Sequence, residues 1–355
     1  MTKRIAIDAM TEQGNKVLSK SIHQILKQHT DLELIIVGDD SVSDLAELKR
    51  VSFERSFNII LPYDSTRDIL KKLDDSSTNL TAKLVAEGKA DIGVSFANTK
   101  AVGLAVSRNL QPIKGLKKIP LAVAIPSKKN GQYVPVILLD IGATGLDDLH
   151  PRNLLEFGIL GKYYAENFGL SNVRIGLLSN GTEIFKGTSL LRDAGYLFEK
   201  YAKSASSFNY SGFVEGREVF IGDANKPDVV VTDGFTGNVL LKMAEGLILL
   251  SKEAIQDSFR ANLATKAAGL TAKVTGAFSQ MKKFMHPDRY GGASFLGLSQ
   301  SFIKGHGAST SFAIQTAIEL AYHSINASKD SGLLEELSQV KTVYGETKTE
   351  LEQIR

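Results

Sequence analysis

Short apolar runs alternate with longer amphipathic stretches along most of the chain. The runs have the length of buried strands, and the apolar spacing between them is that of helices. Strand alternating with helix is typical of an α/β fold with a largely parallel sheet, so we expect that class. The predicted strands are residues 5–7, 34–37, 59–61, 92–94, 121–125, 136–139, 175–178 and 229–231.

The turns at the carboxyl ends of these strands are the candidate site, because ligands of such sheets bind there. The turn richest in glycine follows 229–231 and precedes an apolar helical stretch. Free backbone N–H groups and the helix dipole favour an anion there, which predicts a phosphate site. Asn238 adds an amide donor for phosphate or for an oxyanion, whereas a tight turn that merely needs glycine is the alternative. The turn comprises Asp233, Gly234, Phe235, Thr236, Gly237 and Asn238.

A second turn of this kind carries Asn180, Glu183, Lys186 and Gly187. Lys186 is predicted to neutralise phosphate or to polarise a carbonyl group, with Glu183 holding its ammonium group in place. A solvated loop is the alternative, because an exposed Lys–Glu pair contributes little to stability.

Other candidate ligands lie in further glycine-containing or polar turns. Asn98 and Thr99 follow a predicted strand, and they predict either ligand donors or simple helix caps. Gly291 and Gly292 form another turn, and His306 lies between two glycines. His306 is the best candidate for a general acid or base, although a lone histidine is more often structural.

The composition narrows the chemistry. The chain has 355 residues, a net charge of +3 and no cysteine. The near-neutral charge argues against a nucleic-acid partner, and the missing thiols exclude disulfides, Cys-bound zinc and iron–sulfur clusters. Dinucleotide, P-loop and zinc-protease motifs are absent, so we expect no cofactor and no metal. The first residues lack a signal-peptide pattern and no apolar run could span a bilayer, which predicts a cytoplasmic protein.

A basic amphipathic segment lies late in the chain, at about 251–288. Its apolar residues step by three or four, which predicts protruding helices with one apolar face, broken at Gly269 and Gly276. One interpretation is a contact with an anionic membrane surface or an acidic protein, and the other is a helix pair in a dimer interface. The basic residues expected to make the contact are Lys266, Lys273, Lys282, Lys283 and Arg289.

The last residues, 331–355, have the charged, periodic composition of a helical tail. We interpret this tail as a solvated appendage without a catalytic role. No repeat or Pro-rich linker interrupts the preceding residues, so 1–330 is expected to be a single unit.

Several longer motifs occur in order and carry a family resemblance. They include Ile-Ala-Ile-Asp-Ala-Met ending at Met10, Leu-Leu-Asp-Ile-Gly-Ala around Asp140, and Gly-Leu-Leu-Ser-Asn-Gly-Thr-Glu ending at Glu183. Asp-Gly-Phe-Thr-Gly-Asn-Val-Leu-Leu-Lys ends at Lys242, and Arg-Tyr-Gly-Gly-Ala begins at Arg289. In these motifs, the chain from about residue 3 to about residue 328 resembles the PlsX family, the bacterial phosphate acyltransferases of phospholipid synthesis.

The resemblance implies a reaction, partners and a fold. Members of the family transfer a long-chain fatty acyl group from acyl carrier protein to inorganic phosphate, and a membrane glycerol-3-phosphate acyltransferase uses the acyl phosphate. The implied fold is a three-layer α/β/α unit like that of isocitrate and isopropylmalate dehydrogenases. A homodimer and peripheral attachment to the membrane are also implied, and Asp8, Asp140 and Gly142 join the expected substrate site.

The expected reaction depends on positioning and electrostatics. Inorganic phosphate is already a nucleophile, and a thiolate is a good leaving group. We therefore expect Lys186 and the 234–238 turn to bind phosphate, and Asn238 to stabilise the oxyanion. His306 or Asp233 is expected to orient donors.

The chain departs from the family pattern at three turns. Residues 11–15 replace a usual Gly-Gly-Asp, residues 95–100 read Ser-Phe-Ala-Asn-Thr-Lys in place of Ser-Ala-Gly-Asn-Thr-Gly, and Thr144 replaces a usual asparagine. Side chains at positions where backbone approaches a ligand can narrow a site. A catalytically impaired scaffold at the membrane therefore remains an alternative, as does a phosphotransacylase that uses coenzyme A. A nicotinamide-dependent dehydrogenase has no supporting motif.

Overall fold

The computed structural model describes residues 2–10, 15–60, 64–145, 149–277, 287–305, 310–325 and 331–354. Within these residues, twelve strands form a single sheet. The strands are β1 (Lys3–Asp8), β2 (Leu32–Gly38), β3 (Val51–Arg55), β4 (Ile92–Ser95), β5 (Leu121–Lys129), β6 (Gln132–Leu139), β7 (Arg174–Leu178), β8 (Asn209–Val214), β9 (Ile221–Gly222), β10 (Val229–Val231), β11 (Ala293–Phe295) and β12 (Ser301–Lys304).

The sheet has two lobes. Its strand order is β3-β2-β1-β4-β12-β11-β5-β6-β10-β7-β8, and β9 pairs with β5. The outer strands are parallel to their neighbours, whereas β12–β11, β11–β5 and β5–β6 are antiparallel pairs. These three reversals make the parallel strands of the first lobe, β3 to β12, run opposite to those of the second lobe, β6 to β8. Through Ala293 and Val123, the register places Lys304 at the end of β12 level with Leu138 near the end of β6. The carboxyl ends of both sets therefore approach each other near the centre of the sheet.

Helices cover both faces of the sheet and complete three layers. They are α1 (Asn15–Gln28), α2 (Thr66–Lys72), α3 (Ser77–Ala86), α4 (Thr99–Asn109), α5 (Pro151–Ala165), α6 (Ser189–Ser204), α7 (Gly216–Phe220), α8 (Gly234–Arg260), α9 (Leu263–Val274), α10 (Ser311–Ser324) and α11 (Ser331–Ile354). One apolar core lies under α3, α4 and α8 and crosses both lobes. On the other face, α1 and α10 cover the first lobe, and α5, α6 and α11 cover the second. The predicted α/β/α class with a mostly parallel sheet is confirmed.

Most predicted strands exist, but the one at 59–61 does not. Ile60 is buried in a loop that makes an isolated bridge from Asn58 to Ser76, so its apolar character reflects burial and not a strand; residue 61 lies outside the described residues. The sequence pattern missed β3, β8, β9, β11 and β12, which are short or carry polar residues.

The C-terminal helix α11 belongs to the core of the second lobe. Leu333, Leu337 and Val340 are buried there among side chains of α5 and α6. Glu336 also accepts a hydrogen bond from the Lys162 ammonium group at 2.6 Å. The interpretation of this segment as a solvated appendage is therefore wrong, because its apolar stripe is needed to close the lobe.

Helices α8 and α9 form the extended helical segment that the sequence predicts. The helical segment is interrupted at Asn262, whose side chain caps α9 by accepting the Thr265 N–H at 2.9 Å. The predicted break at Gly269 is wrong, because this glycine lies inside α9, where it lets the helix approach Phe259. Gly276 has a φ of +79° just beyond the end of α9, so the break predicted there is confirmed. No helix in the described part of the chain is long and apolar enough to cross a membrane.

Candidate active site

Strand pairing brings the predicted turns of the second lobe side by side. β10 lies between β6 and β7, and all three are parallel, so the turns after Leu139, Val231 and Leu178 share one edge. In the first lobe, Ser95 at the end of β4 is paired with Asp8 and with Lys304. Each lobe thus contributes a set of adjacent turns at its carboxyl edge.

Asp140 shapes the turn that follows β6. It is fully buried and accepts hydrogen bonds from the N–H groups of Leu121 at 2.9 Å and Thr144 at 2.7 Å. The N–H groups of Gly142 and Ala143 and the Thr144 hydroxyl also donate to it. Burial raises the pKa of the Asp140 carboxyl, and these hydrogen bonds oppose the rise. The carboxyl is enclosed by its own loop and positions that loop, and its expected contact with substrate stays a prediction.

Asp8 has the same role in the first lobe. Its side chain is 1% exposed and accepts hydrogen bonds from the Thr78 hydroxyl at 2.7 Å and the Ser95 hydroxyl at 2.6 Å. Burial raises the pKa of this carboxyl as well. Its other carboxylate oxygen accepts the Met10 N–H at 3.3 Å, and its expected substrate contact stays a prediction.

The glycine-rich turn at 233–238 is the capped first turn of α8. Asp233 accepts the Thr236 N–H at 2.8 Å, which is a helix-capping role. A side chain at Gly237 would overlap the carbonyl oxygen of Asp140, and one at Gly234 would overlap that of Thr144. These glycines therefore allow α8 to pack directly on the Asp140 turn.

Two exposed residues extend from this first turn of α8. Phe235 is 62% exposed, and Asn238 is exposed beside Gly142. Gly142 has a φ of +130°, a conformation that favours glycine. Asn238 and Gly142 thus bring the turns after β10 and β6 into contact.

The 179–188 loop is held by its own hydrogen bonds. The Asn180 side chain accepts the Gly187 N–H at 2.9 Å, and Gly187 has a φ of +81°. The carboxylate of Glu183 and the ammonium of Lys186, both in the described part of the chain, do not form the predicted ion pair. Instead, the backbone N–H of Lys186 donates to the backbone carbonyl of Glu183 at 2.9 Å. Lys186 is half-buried on this loop and does not line the cavity described below.

The Asn98 turn begins α4. Asn98 caps the helix by accepting the Lys100 N–H at 2.8 Å, and Thr99 is exposed beside it. Capping and cavity lining therefore coexist at this turn, because both residues also face the cavity.

The other glycine turn, Gly291 and Gly292, uses left-handed backbone at both positions, with φ of +86° and +99°. Gly291 lets the chain pass against the backbone of α10. Gly292 lies against the Lys304 carbonyl, and a side chain there would meet that oxygen at 2.6 Å. Of the two, Gly292 lines the cavity.

The departures from the family pattern fit their surroundings. Phe96 is 5% exposed and occupies the space that a side chain at Gly305 would need. Thr144 uses both its N–H and its hydroxyl to bind Asp140. The Lys100 ammonium donates to the Thr66 hydroxyl at 2.9 Å. Residues 11–14 lie outside the described residues.

Turns from both lobes line one cavity of about 1310 Å³, above the roughly 300–1,000 Å³ of most small-molecule sites. Its polar part is the junction where the two lobes meet, and the rest of its wall is mainly apolar. Lys304 and the apolar walls were not singled out from the sequence, although the apolar positions repeat every three or four residues on α8. The junction residues are Asn98, Thr99, Lys100, Gly142, Thr144, Asn238, Gly292 and Lys304.

Two apolar arms leave the junction in opposite directions along the sheet. Lys304 is paired with Ala293, and Ala293 with Val123, so Val123 marks the level of the junction on β5. From there β5 continues to its hairpin with β6, whereas Leu121 and Phe295 lie the other way. The hairpin arm is lined by Ile125, Pro126, Tyr133, Phe220, Leu247 and Ile248, and the α4 arm by Gly103, Val106, Leu110, Leu121, Phe295 and Leu298.

The predicted contact residues are divided among different parts of the molecule. Lys266 and Lys273 are exposed on α9. Arg289 lies on a separate short turn, Pro287–Tyr290. Lys282, Lys283 and His306 lie outside the described residues.

Comparison with known proteins identifies the family. The family described as "Fatty acid synthesis protein" matches residues 3–329. The chain is 32% identical over 343 residues to the phosphate acyltransferase of Cellvibrio japonicus, covering 95% of this chain and 98% of that protein. It is 36% identical over 326 residues to that of Bacillus pumilus, covering 90% and 92%. The chain belongs to this acyltransferase family. The PlsX resemblance is thereby confirmed.

Solved structures of other acyltransferases share the fold. A phosphotransacetylase from Streptococcus pyogenes aligns with a TM-score of 0.57 at 16% identity, covering 94% of each chain. A branched-chain phosphotransacylase from Enterococcus faecalis aligns with a TM-score of 0.56 at 12% identity, covering 92% of this chain and 99% of that one. At these low sequence identities, the similarity to these structures shows only that the fold is shared.

Proposed function

We propose that the protein transfers a long-chain acyl group from acyl carrier protein to inorganic phosphate and so supplies acyl phosphate for phospholipid synthesis. The observation that carries the proposal is the cavity, in which polar turns of both lobes meet long apolar walls. A polar junction suits phosphate and a reacting carbonyl, and apolar arms suit an acyl chain. The family description and the names of the relatives support the same chemistry.

In the proposed reaction a phosphate oxygen attacks the thioester carbonyl carbon. A C–O bond forms, the C–S bond breaks, and the carrier thiolate leaves with the electron pair. Asn238 is proposed to donate to the tetrahedral oxyanion, since its amide lies at the junction beside the exposed Gly142. Asp140 and Asp233 act as positioning residues, because one folds the neighbouring turn and the other caps α8.

Lys186 is proposed to bind the attacking phosphate. Its loop follows β7, which pairs with β10, the strand that precedes α8, so the loop lies next to the start of α8. The Glu183 carboxylate forms no ion pair with the Lys186 ammonium group, and the two residues are joined only through their backbone. Lys100 and Lys304 add positive charge to the cavity wall, which favours a second anion at the junction. His306 stays a prediction for orienting donors.

The exposed surfaces of α8 and α9 support the proposed partners. Phe235, Val239 and Met243 are each more than half exposed at successive four-residue steps on α8, and we propose that a second copy covers this face. Lys266 and Lys273 on α9 are proposed to meet the acidic carrier protein or anionic lipid. Contact with the membrane would place the product near a membrane glycerol-3-phosphate acyltransferase.

The experiment is an acyl-phosphate assay on purified protein. Palmitoyl carrier protein or palmitoyl-coenzyme A is supplied with inorganic phosphate, and the product is trapped with hydroxylamine. Product from the carrier thioester supports the proposal. Product from the coenzyme A thioester alone would favour the phosphotransacylase alternative, and no product from either donor with folded protein would favour a scaffold.

Lys186→Ala tests the proposed phosphate ligand. If Lys186 stabilises the transition state, its loss lowers kcat by at least about 10²-fold. Lys203→Ala, at an exposed lysine in the last turn of α6, is the control and keeps the wild-type rate. Wild-type turnover in Lys186→Ala would remove this residue from the mechanism.

A further inference from the structure

The two arms of the cavity differ in burial. In the α4 arm, Val106, Leu110 and Leu121 are 3%, 2% and 2% exposed. Phe295 and Leu298 are 7% and 5% exposed. In the hairpin arm, Ile125 is 6% exposed, but Tyr133 and Leu247 are 55% and 53% exposed. The α4 arm therefore has the drier walls, and dry apolar walls favour a hydrocarbon chain over a polar one.

The two arms also differ in the charges along them and in where they lead. The hairpin arm carries Lys128 and the Lys242–Glu245 ion pair of 2.7 Å. It follows α8 outward, toward the end of the helix that joins α9, where Lys266 and Lys273 are exposed. The charged residues of the α4 arm, Lys117 and Lys118, lie in the segment that precedes β5. The hairpin arm is thus the one that leads toward the proposed carrier-docking surface.

The length of the α4 arm matches a long acyl chain. The helix and its cap place Thr99 at the junction and Leu110 at the far wall, and eleven residues of helix rise by about 16 Å. One leaflet of a bilayer, which is filled by single acyl tails, is about 15 Å thick in its hydrocarbon part.

We infer that the α4 arm holds the acyl chain of the substrate, that the hairpin arm receives the prosthetic arm of the carrier, and that Gly103 determines the longest chain accepted. The inference rests on the proposed acyl transfer and specifies which part of the cavity holds each half of the thioester. Gly103 lines the cavity one helical turn from Thr99. Nothing lies within 4 Å of the position that its side chain would occupy. The open space beside Gly103 is therefore where methylene groups would lie.

A Cβ atom added at Gly103 meets no atom within 4 Å, so Gly103→Phe introduces no clash at the backbone and the fold should be retained. Each methylene group excluded from an apolar site costs about fourfold in affinity. We expect the ratio of kcat/KM for palmitoyl over butyryl carrier thioester to fall at least tenfold, because Gly103 lies about 6 Å from Thr99 along the helix and a four-carbon chain ends before it. Gly345→Phe is the matched control, because Gly345 also lies within a helix with nothing within 4 Å of an added Cβ atom, and it does not line the cavity. It should keep the wild-type ratio.

Ile248→Trp separates the two arms. It narrows the hairpin arm and should impair both thioesters alike, leaving the chain-length ratio unchanged. An unchanged ratio in Gly103→Phe, or a lowered ratio in Ile248→Trp, would overturn the assignment.

Binding of free fatty acid gives a second readout that does not need turnover. Palmitate is measured by displacement of a fluorescent fatty acid, with circular dichroism to confirm folding. Palmitate should bind the wild type and bind Gly103→Phe at least tenfold more weakly. If that pattern is found but no acyl phosphate forms, the arm assignment stands and the proposed transfer fails. If the wild type turns over but palmitate binds both proteins equally, the assignment fails and the transfer stands.

Discussion

Gly237 provides a sharp test of how the active-site turns are held together. In the interior of a helix, glycine is less favourable than alanine by about 0.5–1 kcal/mol, so Gly→Ala usually stabilises. Gly246 lies in the same helix, α8, with nothing within 4 Å of an added Cβ atom. Gly246→Ala should therefore raise the free energy of unfolding by about 0.5–1 kcal/mol.

Gly237→Ala should do the opposite. Its Cβ atom would overlap the Asp140 carbonyl oxygen and lie 2.9 Å from the Thr232 methyl group. The Asp140 turn cannot easily retreat, because the buried carboxylate fixes it through several hydrogen bonds. Overpacking of this kind costs about 1–3 kcal/mol and exceeds the gain in helix propensity. The gain in helix propensity is common to both alanine variants, so they should differ by about 1–3 kcal/mol in unfolding free energy.

The unfolding free energy of both variants is measured by urea denaturation, followed by circular dichroism. The slope of the unfolding free energy against urea concentration should be the same in both, which shows that the same unfolding reaction is compared. The acyl-phosphate assay should show a loss of turnover in Gly237→Ala only, since α8 carries Asn238 to the junction. Equal stability of the two variants would refute the packing role of Gly237. In that case, a loss of activity alone would return the glycine to the phosphate-binding role that the sequence indicates.

Two further predictions concern stability. Leu337→Ala should lower the unfolding free energy, measured by urea denaturation, by about 2–5 kcal/mol, because the side chain is 8% exposed in the second-lobe core. Leu334→Ala, at a 55% exposed site on the same helix, should change it by less than about 0.5 kcal/mol. Equally small effects of both substitutions would support the interpretation of α11 as a solvated tail. Burial lowers the pKa of Lys226 from 10.5 to about 8, so between these pH values the unfolded chain binds more protons and stability rises with pH. Lys226→Met should flatten that rise and, at pH 7, stabilise the protein by about 1–3 kcal/mol, since Asp228 keeps its Lys129 partner at 2.6 Å. An unaltered pH profile between wild type and Lys226→Met would contradict this account.

The sequence predicted the features that depend on local pattern. Apolar runs marked β1, β2, β4, β5, β6, β7 and β10, and the polar turns after several of them do line the cavity, as Asn98 and Asn238 show. The same pattern could not distinguish a buried carboxylate from one that faces a ligand. Asp8 and Asp140 follow strands in the way catalytic residues do, yet both are enclosed by donors that come from distant parts of the chain.

The local sequence pattern could not predict features that depend on contacts between distant segments of the chain. Phosphate binding by the glycines at 234–238 stays a prediction, but no local pattern shows that Gly234 and Gly237 also let α8 pack on the Asp140 turn, almost a hundred residues earlier. β11 and β12 are too short to give a periodic signal, but they join the two lobes. The amphipathic pattern of the last helix was visible, although nothing local reveals that α5 and α6 leave an apolar gap for it.

The late position of these joining segments has a consequence for how the protein is made. β12 and α10 complete the sheet and the core of the first lobe, although the rest of that lobe comes from the amino-terminal part of the chain. α11 completes the core of the second lobe. Neither lobe can close while these residues are still inside the ribosome, because the strand or helix that seals each core follows the rest of its lobe in the chain. The nascent chain therefore displays two unsealed apolar surfaces until these segments emerge, and holdase chaperones that recognise such surfaces should associate with it up to that point.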